Sequence, residues 1–284
     1  MKKTLLVVLT VIIAFSLLSC HPGNTGASDK IKVAVSIVPE AAFVYEVAGD
    51  LVDIVTIIPP GFSPANYEPS AKQMADLSDA SVYFTIGVPT EATTILPNTK
   101  ELYIVHLEDY VNDFYTDRMF GEGSRDPHIW LSIKRVIIMV QKIADELSLL
   151  DPDNEDIYLE NAESYISQLE NVNSLLKTAF QNVEANEFIV FHPSYGYFAE
   201  DYGLQMISLE DDGKEATPQH LQEVIDLALL HNIHTVFYQA EIDSSQVQAF
   251  AEEINGTMVM LDPLAYDYLS NIFDMANSIL ESLS

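Results

Sequence analysis

The segment DPDNEDIYLENAESYISQLENVNSLLKTAF, residues 151–180, predicts one unusually long helix. Its first residues, Asp151-Pro152-Asp153, are typical of a helix start, and neither Gly nor Pro follows them in the segment. Apolar side chains then recur at spacings of three and four: Tyr158, Ala162, Tyr165, Leu169, Val172, Leu176 and Phe180. A helix of about 28 residues would be roughly 42 Å long. We interpret it as a connection between two domains, with an ordinary long core helix as the alternative.

Short apolar runs alternate with helical patterns on both sides of this segment. The predicted strands are 31–37, 52–58, 81–86 and 102–105 before it, and 188–191, 205–209, 234–238 and 257–261 after it. The predicted helices are 39–47, 71–77 and 132–149 before it, and 219–230, 244–254 and 268–283 after it. Such alternation favours parallel sheets covered by helices. We therefore predict an α/β fold of two domains, 31–150 and 184–284, joined by a linker helix at 151–183.

The N-terminus has the pattern of a secretory signal. Lys2 and Lys3 precede an apolar run from Leu5 to Leu18 that is too short for a comfortable transmembrane helix. Cys20 follows this run, is the only cysteine of the chain, and stands where a bacterial lipoprotein signal is cut and acylated. We predict a lipoprotein signal peptide at 1–20 and a flexible tether at 21–30. The alternative is an incidental cysteine in an ordinary signal peptide.

Composition excludes several classes of protein. The 284 residues include 13 basic and 43 acidic ones, a formal net charge of −30. This charge argues against nucleic acid as a partner, because it would repel a phosphate backbone. The hydrophobic fraction of 48% argues against a disordered chain. An acidic surface fits an extracytoplasmic protein or one that handles cations.

Three residues with metal-ligating side chains occupy comparable places in the predicted fold. His192 and Asp262 each follow a predicted strand and precede a proline, and His128 lies just before a predicted helix. Ligands collect beyond the carboxyl ends of strands in open α/β sheets. Two imidazoles and one carboxylate suit zinc, manganese or another borderline divalent ion. The alternatives are hydrogen-bonded or surface histidines and an aspartate that forms a turn.

Four local motifs carry a resemblance to a known family: GFSPANYEP at 61–69, DPHIWL at 126–131, FHPSYGYF at 191–198 with DYGL at 201–204, and LDPL at 261–264. Over residues 31–284 the sequence resembles the metal-binding substrate-binding lipoproteins of ABC transporters, the ZnuA/TroA-like family. The resemblance implies two α/β domains joined by a long rigid helix, with zinc or manganese in the cleft between them. It also implies that His128, His192 and Asp262 are the metal ligands.

The sequence departs from the family pattern at one ligand. The family has a histidine after the proline of the first motif, and this chain has Ala65. Water, Asn66 or Glu68 could complete the site with altered affinity, or the cleft could have lost metal and hold another small ligand. Glu215 and Tyr195 are further cleft candidates by family position. The loop 109–125 contains no histidine, so a metal-collecting role for it has no support.

We therefore expect an extracytoplasmic, lipid-anchored, monomeric solute-binding protein that passes a divalent metal ion to an ABC transporter permease. We do not expect an enzyme. A metal-dependent hydrolase, with Glu215 or Asp267 as general base, is the alternative that an open metal position would allow. A surface adhesin is another. The long helix should restrict domain movement to modest changes on metal loading.

Overall fold

The computed structural model describes residues 30–121, 123–211, 213–241 and 244–283. The predicted signal peptide, Cys20 and nearly all of the predicted tether lie outside these residues. In the ranges that are described, none of the helices has both the length and the apolar character needed to cross a membrane.

The first half contains a parallel sheet with its helices. Its strands are β1 (Ile31–Val35), β2 (Val52–Thr56), β3 (Val82–Thr85) and β4 (Ile104–His106), and its helices are α1 (Val38–Ala48), α2 (Ala71–Ser78) and α3 (Leu107–Asn112). The strand order is β2-β1-β3-β4, and Val33 of β1 pairs with Ile54 on one side and Val82 on the other. The centre of the sheet is buried, as expected when helices cover parallel strands.

The second half repeats this arrangement. Its strands are β5 (Glu187–Val190), β6 (Gln205–Ser208), β7 (Thr235–Tyr238) and β8 (Thr257–Met260), in the order β6-β5-β7-β8. Its helices are α6 (Gly196–Tyr202), α7 (Pro218–Leu230), α8 (Ser244–Glu253) and α9 (Tyr268–Ser282). All of its strand pairs are parallel. The carboxyl ends of its strands therefore meet at one edge, where a site can form.

Two helices lie between the sheets: α4 (Ile133–Leu150) and α5 (Glu155–Phe180). The predicted long helix is confirmed, with a 3₁₀ turn at Pro152–Asn154 in place of its first residues. The Asp151 carboxylate accepts hydrogen bonds from Asn154 and Tyr158, which holds this turn outside the regular helix. The buried face of α5 consists of Tyr158, Ala162, Tyr165, Leu169, Leu176 and Phe180. These residues belong to one hydrophobic core that also contains side chains of both sheets.

The predicted fold class is confirmed: two parallel-sheet α/β domains are joined by a long helix. The domain boundaries at 150 and 183 stay predictions. Predicted strands are one or two residues too long in several places; β1 ends at Val35 because Ile37 is already the N-cap of α1. Helix α6 was not predicted. It begins within FHPSYGYF and ends at Tyr202, and its C-cap Gly203 has a φ of +72°, in the left-handed region that favours glycine.

Two buried glutamates bind the same serine near the carboxyl end of β1. Glu40 Oε2 accepts hydrogen bonds from the backbone N–H groups of Ser36 and Ile37, both at 3.0 Å. Glu91 accepts hydrogen bonds from the Ser36 hydroxyl and from the backbone of Gly87 at 2.8 Å. Burial, with the negative charge of Glu108 as the second cause, raises the pKa of Glu91 to about 8. Burial and the charge of Glu91 also raise the pKa of Glu40.

This arrangement makes stability depend on pH. The Glu91 carboxyl has a pKa of about 8 in the folded chain against an ordinary value of 4.5, so the folded state holds an extra proton between these values. The free energy of unfolding should therefore fall as pH rises from 5 to 8, by up to ~1.4 kcal/mol per pH unit from this group. Urea unfolding of Glu91→Gln should show a smaller decline, whereas the exposed control Glu184→Gln should follow the wild type. Equal slopes for Glu91→Gln and wild type would contradict the assignment.

Candidate metal centre

The two histidines of the predicted ligand set face each other across the halves of the protein. His128 precedes α4 in the first half, and His192 lies two residues beyond β5 in the second. Their ring centroids are 5.2 Å apart, with an interplanar angle of 77°. Both line a cavity of about 210 Å³, together with Ala65, Arg125 and Gln239 among others. The two imidazoles that the sequence analysis singled out thus line one cavity, and their role as ligands stays a prediction.

A carboxylate fixes the ring of His128. Asp126 Oδ1 lies 2.7 Å from His128 Nδ1 and accepts the His128 backbone N–H at 3.0 Å. The other oxygen of Asp126 is 3.3 Å from Arg118 Nε. Burial lowers the pKa of His128, and Asp126 opposes this shift only in part. A neutral imidazole that donates from Nδ1 presents the lone pair of Nε2, which is the form that binds a metal ion.

His192 has the equivalent support from the second half. Its Nδ1 is 2.6 Å from Glu210 Oε2. Gly213, with a φ of +76°, packs closely against the same ring: a Cβ at this position would lie 3.3 Å from His192 Cε1. A larger residue would therefore disturb both the backbone and the imidazole.

Asp262 lies two residues beyond β8, and one of its carboxylate oxygens is already hydrogen-bonded within the turn that follows the strand. Asp262 Oδ1 accepts the backbone N–H of Leu264 at 2.9 Å, and its carbonyl accepts from Asn271 at 2.6 Å. Among the residues that the structure describes, the one set of three whose ligand atoms all lie within 4.8 Å of one another is His106, Glu108 and Asp109. His128, His192 and Asp262 are therefore not gathered that tightly, and the role of Asp262 stays a prediction.

The other cleft candidates are dispersed. Ala65, at the position where the family has a histidine, lines the cavity. Asn66 and Glu68 are exposed and are not among the residues that line it. Glu215 is exposed and lines a different, larger cavity of about 790 Å³. Tyr195 is buried, with its hydroxyl 3.7 Å from the sulfur of Met275.

Two further histidines bond to backbone carbonyl groups, and Trp130 is buried beside His128. His220 bonds to the carbonyl of Ser208 at 3.0 Å, and His234 bonds to that of Ile254 at 3.0 Å. Trp130 is only 2% exposed, and its ring centroid lies 5.2 Å from that of His128.

Asp126 and Glu210 are the supporting residues that sequence reasoning missed. Asp126 is part of the quoted DPHIWL motif, yet only its histidine was assigned a role. Glu210 lies two residues beyond β6, the same offset that separates His192 from β5 and Asp262 from β8. The rule that selected His192 and Asp262 could therefore have selected Glu210 as well.

Comparison with known proteins places this architecture in a defined class. A family model described as "Zinc-uptake complex component A periplasmic" matches residues 33–282. FimA of Streptococcus parasanguinis, a metal ABC transporter substrate-binding lipoprotein, is 27% identical over 276 residues, which cover 90% of this chain and 87% of FimA. PsaA of Streptococcus pneumoniae serotype 4, a manganese ABC transporter substrate-binding lipoprotein, is 25% identical over 274 residues, 90% of this chain and 87% of PsaA.

Comparison with solved structures leads to the same class of protein. A crystal structure of ZnuA matches with a TM-score of 0.84 and 35% identity, covering 90% of this chain and 100% of that one. Fold and sequence together define the class of substrate-binding proteins of metal ABC transporters. Within that class, the chain belongs to the family of the periplasmic zinc-uptake component A, ZnuA.

The hydrogen bond from Glu210 to His192 can be tested directly. Glu210→Ala should leave the imidazole free to rotate and should lower divalent-metal affinity by about 10–100-fold, as is usual when a ligand loses its supporting carboxylate. Calorimetric titration with Zn²⁺ measures the change. Glu187, which holds Nδ1 of His231 in the same manner away from the cavity, provides the matched control. Glu187→Ala should bind like the wild type; an unchanged affinity in Glu210→Ala would exclude the supporting role.

Proposed function

We propose that this protein is the solute-binding component of an ABC importer and that its cargo is one divalent metal ion, with zinc favoured over manganese. The observation that carries the proposal is the pair His128 and His192, whose ring centroids lie 5.2 Å apart, one residue from each half. A carboxylate is bonded to Nδ1 of each ring. Neutral imidazoles oriented in this way are the usual zinc ligands.

Asp262 would supply the third protein ligand. Its Oδ1 accepts a hydrogen bond from the backbone N–H of Leu264, and this bond orients the whole carboxylate. A small approach of the Asp262 loop and the two imidazole loops would close the set around the ion. Two nitrogen ligands and one carboxylate suit zinc and accept manganese. The family name points to zinc and the name of PsaA to manganese, which agrees with this donor set.

The remaining parts of the proposal concern location and partner. The relatives FimA and PsaA are lipoproteins of ABC transporters. We propose that Cys20 likewise carries a lipid anchor, that the monomeric folded part lies outside the cytoplasm, and that the loaded protein docks on a membrane permease. The protein would bind and release its cargo without catalysing a reaction.

Titration of the chelator-treated full chain with Zn²⁺, and separately with Mn²⁺, tests the proposal. We expect one-to-one binding, and we expect His128→Ala and His192→Ala to weaken it by more than the about 10–100-fold typical of losing only a supporting residue. His220→Ala, which removes an imidazole bonded to the Ser208 carbonyl outside the cavity, should bind like the wild type. If neither ion binds, the cavity holds some other small ligand and the metal proposal fails.

A further inference from the structure

The second half of the protein contains a large cavity that is separate from the cavity of the two histidines. Its volume is about 790 Å³, and neither His128 nor His192 is among the described residues that line it. Phe191 and Leu209, which follow β5 and β6, form a buried part of its lining. Cavities of about 300–1,000 Å³ are typical of sites for small organic ligands, so this cavity is large enough for such a molecule.

Two helices supply further apolar walls. Leu221 and Ile225 line the cavity from α7, and their spacing of four residues places them on one face of that helix. Phe250 lines it from α8 and belongs to a hydrophobic core of the second half, against which Leu221 and Ile225 pack. The cavity therefore borders an apolar core, and the apolar body of a ligand would be removed from water there.

The charged groups of this cavity all have the same sign. They are the carboxylates of Glu210, Glu215, Glu241 and Glu253, and no Lys, Arg or His occurs among the described residues of the lining. Of these, Glu210 is already bonded to His192. Like charges around an apolar space repel one another, and a positive charge among them would reduce that repulsion. The lining thus complements a cation and would repel an anion.

Shape and charge favour a small organic molecule over two other occupants. The sequence has a formal net charge of −30, so a second copy of this chain would bring like charges together. A bare metal ion would make no use of the apolar walls. In the described ranges, the set of three ligand atoms that lie within 4.8 Å of one another is found elsewhere, at His106, Glu108 and Asp109.

We infer that this cavity binds an amphipathic organic cation, with its apolar body against Phe191, Leu221 and Phe250 and its ammonium group near Glu215 and Glu253. These two glutamates are exposed, so the charged end of the ligand can stay close to water. The apolar contacts would supply much of the affinity, and the carboxylates would supply the selectivity for a cation. This inference goes beyond the proposed function and does not depend on a bound metal ion.

Two fluorescent probes of similar length test the preference for a cation. Dansylcadaverine ends in an ammonium group, and dansyl-ε-aminocaproic acid ends in a carboxylate. In the full chain with a metal chelator, dansylcadaverine should bind one-to-one with stronger, blue-shifted emission, because its rings leave water. The acid should bind at least about tenfold more weakly, since repulsion replaces attraction. Equal affinity of the two probes, tighter binding of the acid, or no saturable binding of either would overturn the inference.

Two double variants with the same change of net charge locate the binding. Glu215→Gln combined with Glu253→Gln should weaken dansylcadaverine by about fivefold, because exposed ion pairs contribute modestly. Glu223→Gln combined with Glu252→Gln alters exposed positions of α7 and α8 outside the described lining and should bind like the wild type. Equal weakening in both double variants would mean that the general surface charge attracts the probe, and the inference would fail.

Ala249→Trp tests the cavity itself. Ala249 is exposed and lines the cavity, so an indole there should fill the space without disturbing the core and should remove dansylcadaverine binding. Far-UV circular dichroism checks that each variant is folded. Wild-type binding in folded Ala249→Trp would place the probe elsewhere. Sedimentation that shows a dimer of the probe-free chain, lost in Ala249→Trp, would assign the cavity to a second copy; either result would overturn the inference. Because a chelator is present throughout, these outcomes are separate from those of the metal titration.

Discussion

The indole N–H of Trp130 donates a hydrogen bond of 2.8 Å to the carbonyl of Pro263, across the boundary between the two halves. In return, the hydroxyl of Tyr268 donates to the carbonyl of Trp130 at 2.8 Å. Trp130 follows His128 by two residues, and Pro263 follows Asp262 directly. Because these groups are buried, breaking the pair would leave polar atoms unsatisfied. Packing in the protein itself therefore holds the chain beside His128 against the chain beside Asp262 without a bound ion.

A buried ion pair connects the halves a second time. Asp201 of α6 is bonded by Ser132 at 2.6 Å, Lys134 at 2.5 Å and Arg135 at 3.4 Å, all at the start of α4. Arg135 and Asp201 have side chains only 2% exposed, and removing either partner would leave the other charge buried and unpaired. With α5 packed in the core that both sheets share, these contacts favour small movements of loops over a wide hinge. The two halves are thus held together by their own contacts, and a ligand between them would need only small loop movements to be enclosed.

The sequence predicts the periodic helices and strands well, but it predicts poorly the contacts between residues that are far apart in the sequence. Alternating strands, the helix Glu155–Phe180 and the positions of His128 and His192 all follow from local patterns or motifs. The contact of Glu210 with His192 does not, because it depends on β6 being a neighbour of β5, and no local pattern in the sequence determines strand order. The same limit applies to Asp262: the strand offset predicts its place, but only the structure reveals that its Oδ1 is used by the turn at Leu264.

The two sheets have equivalent strand orders, but the residues at the carboxyl ends of their strands have different roles. In the second half this edge leads to His192, which lines the smaller cavity, and to Glu210, which lines the larger one. In the first half the corresponding edge leads to Glu40, Glu91 and Glu108, which are buried and bonded within their own half. These three carboxylates are therefore not available to a ligand between the halves. The first half must reach the cavity with a loop instead, which is why His128 comes from the turn before α4 and depends on Asp126 for its orientation.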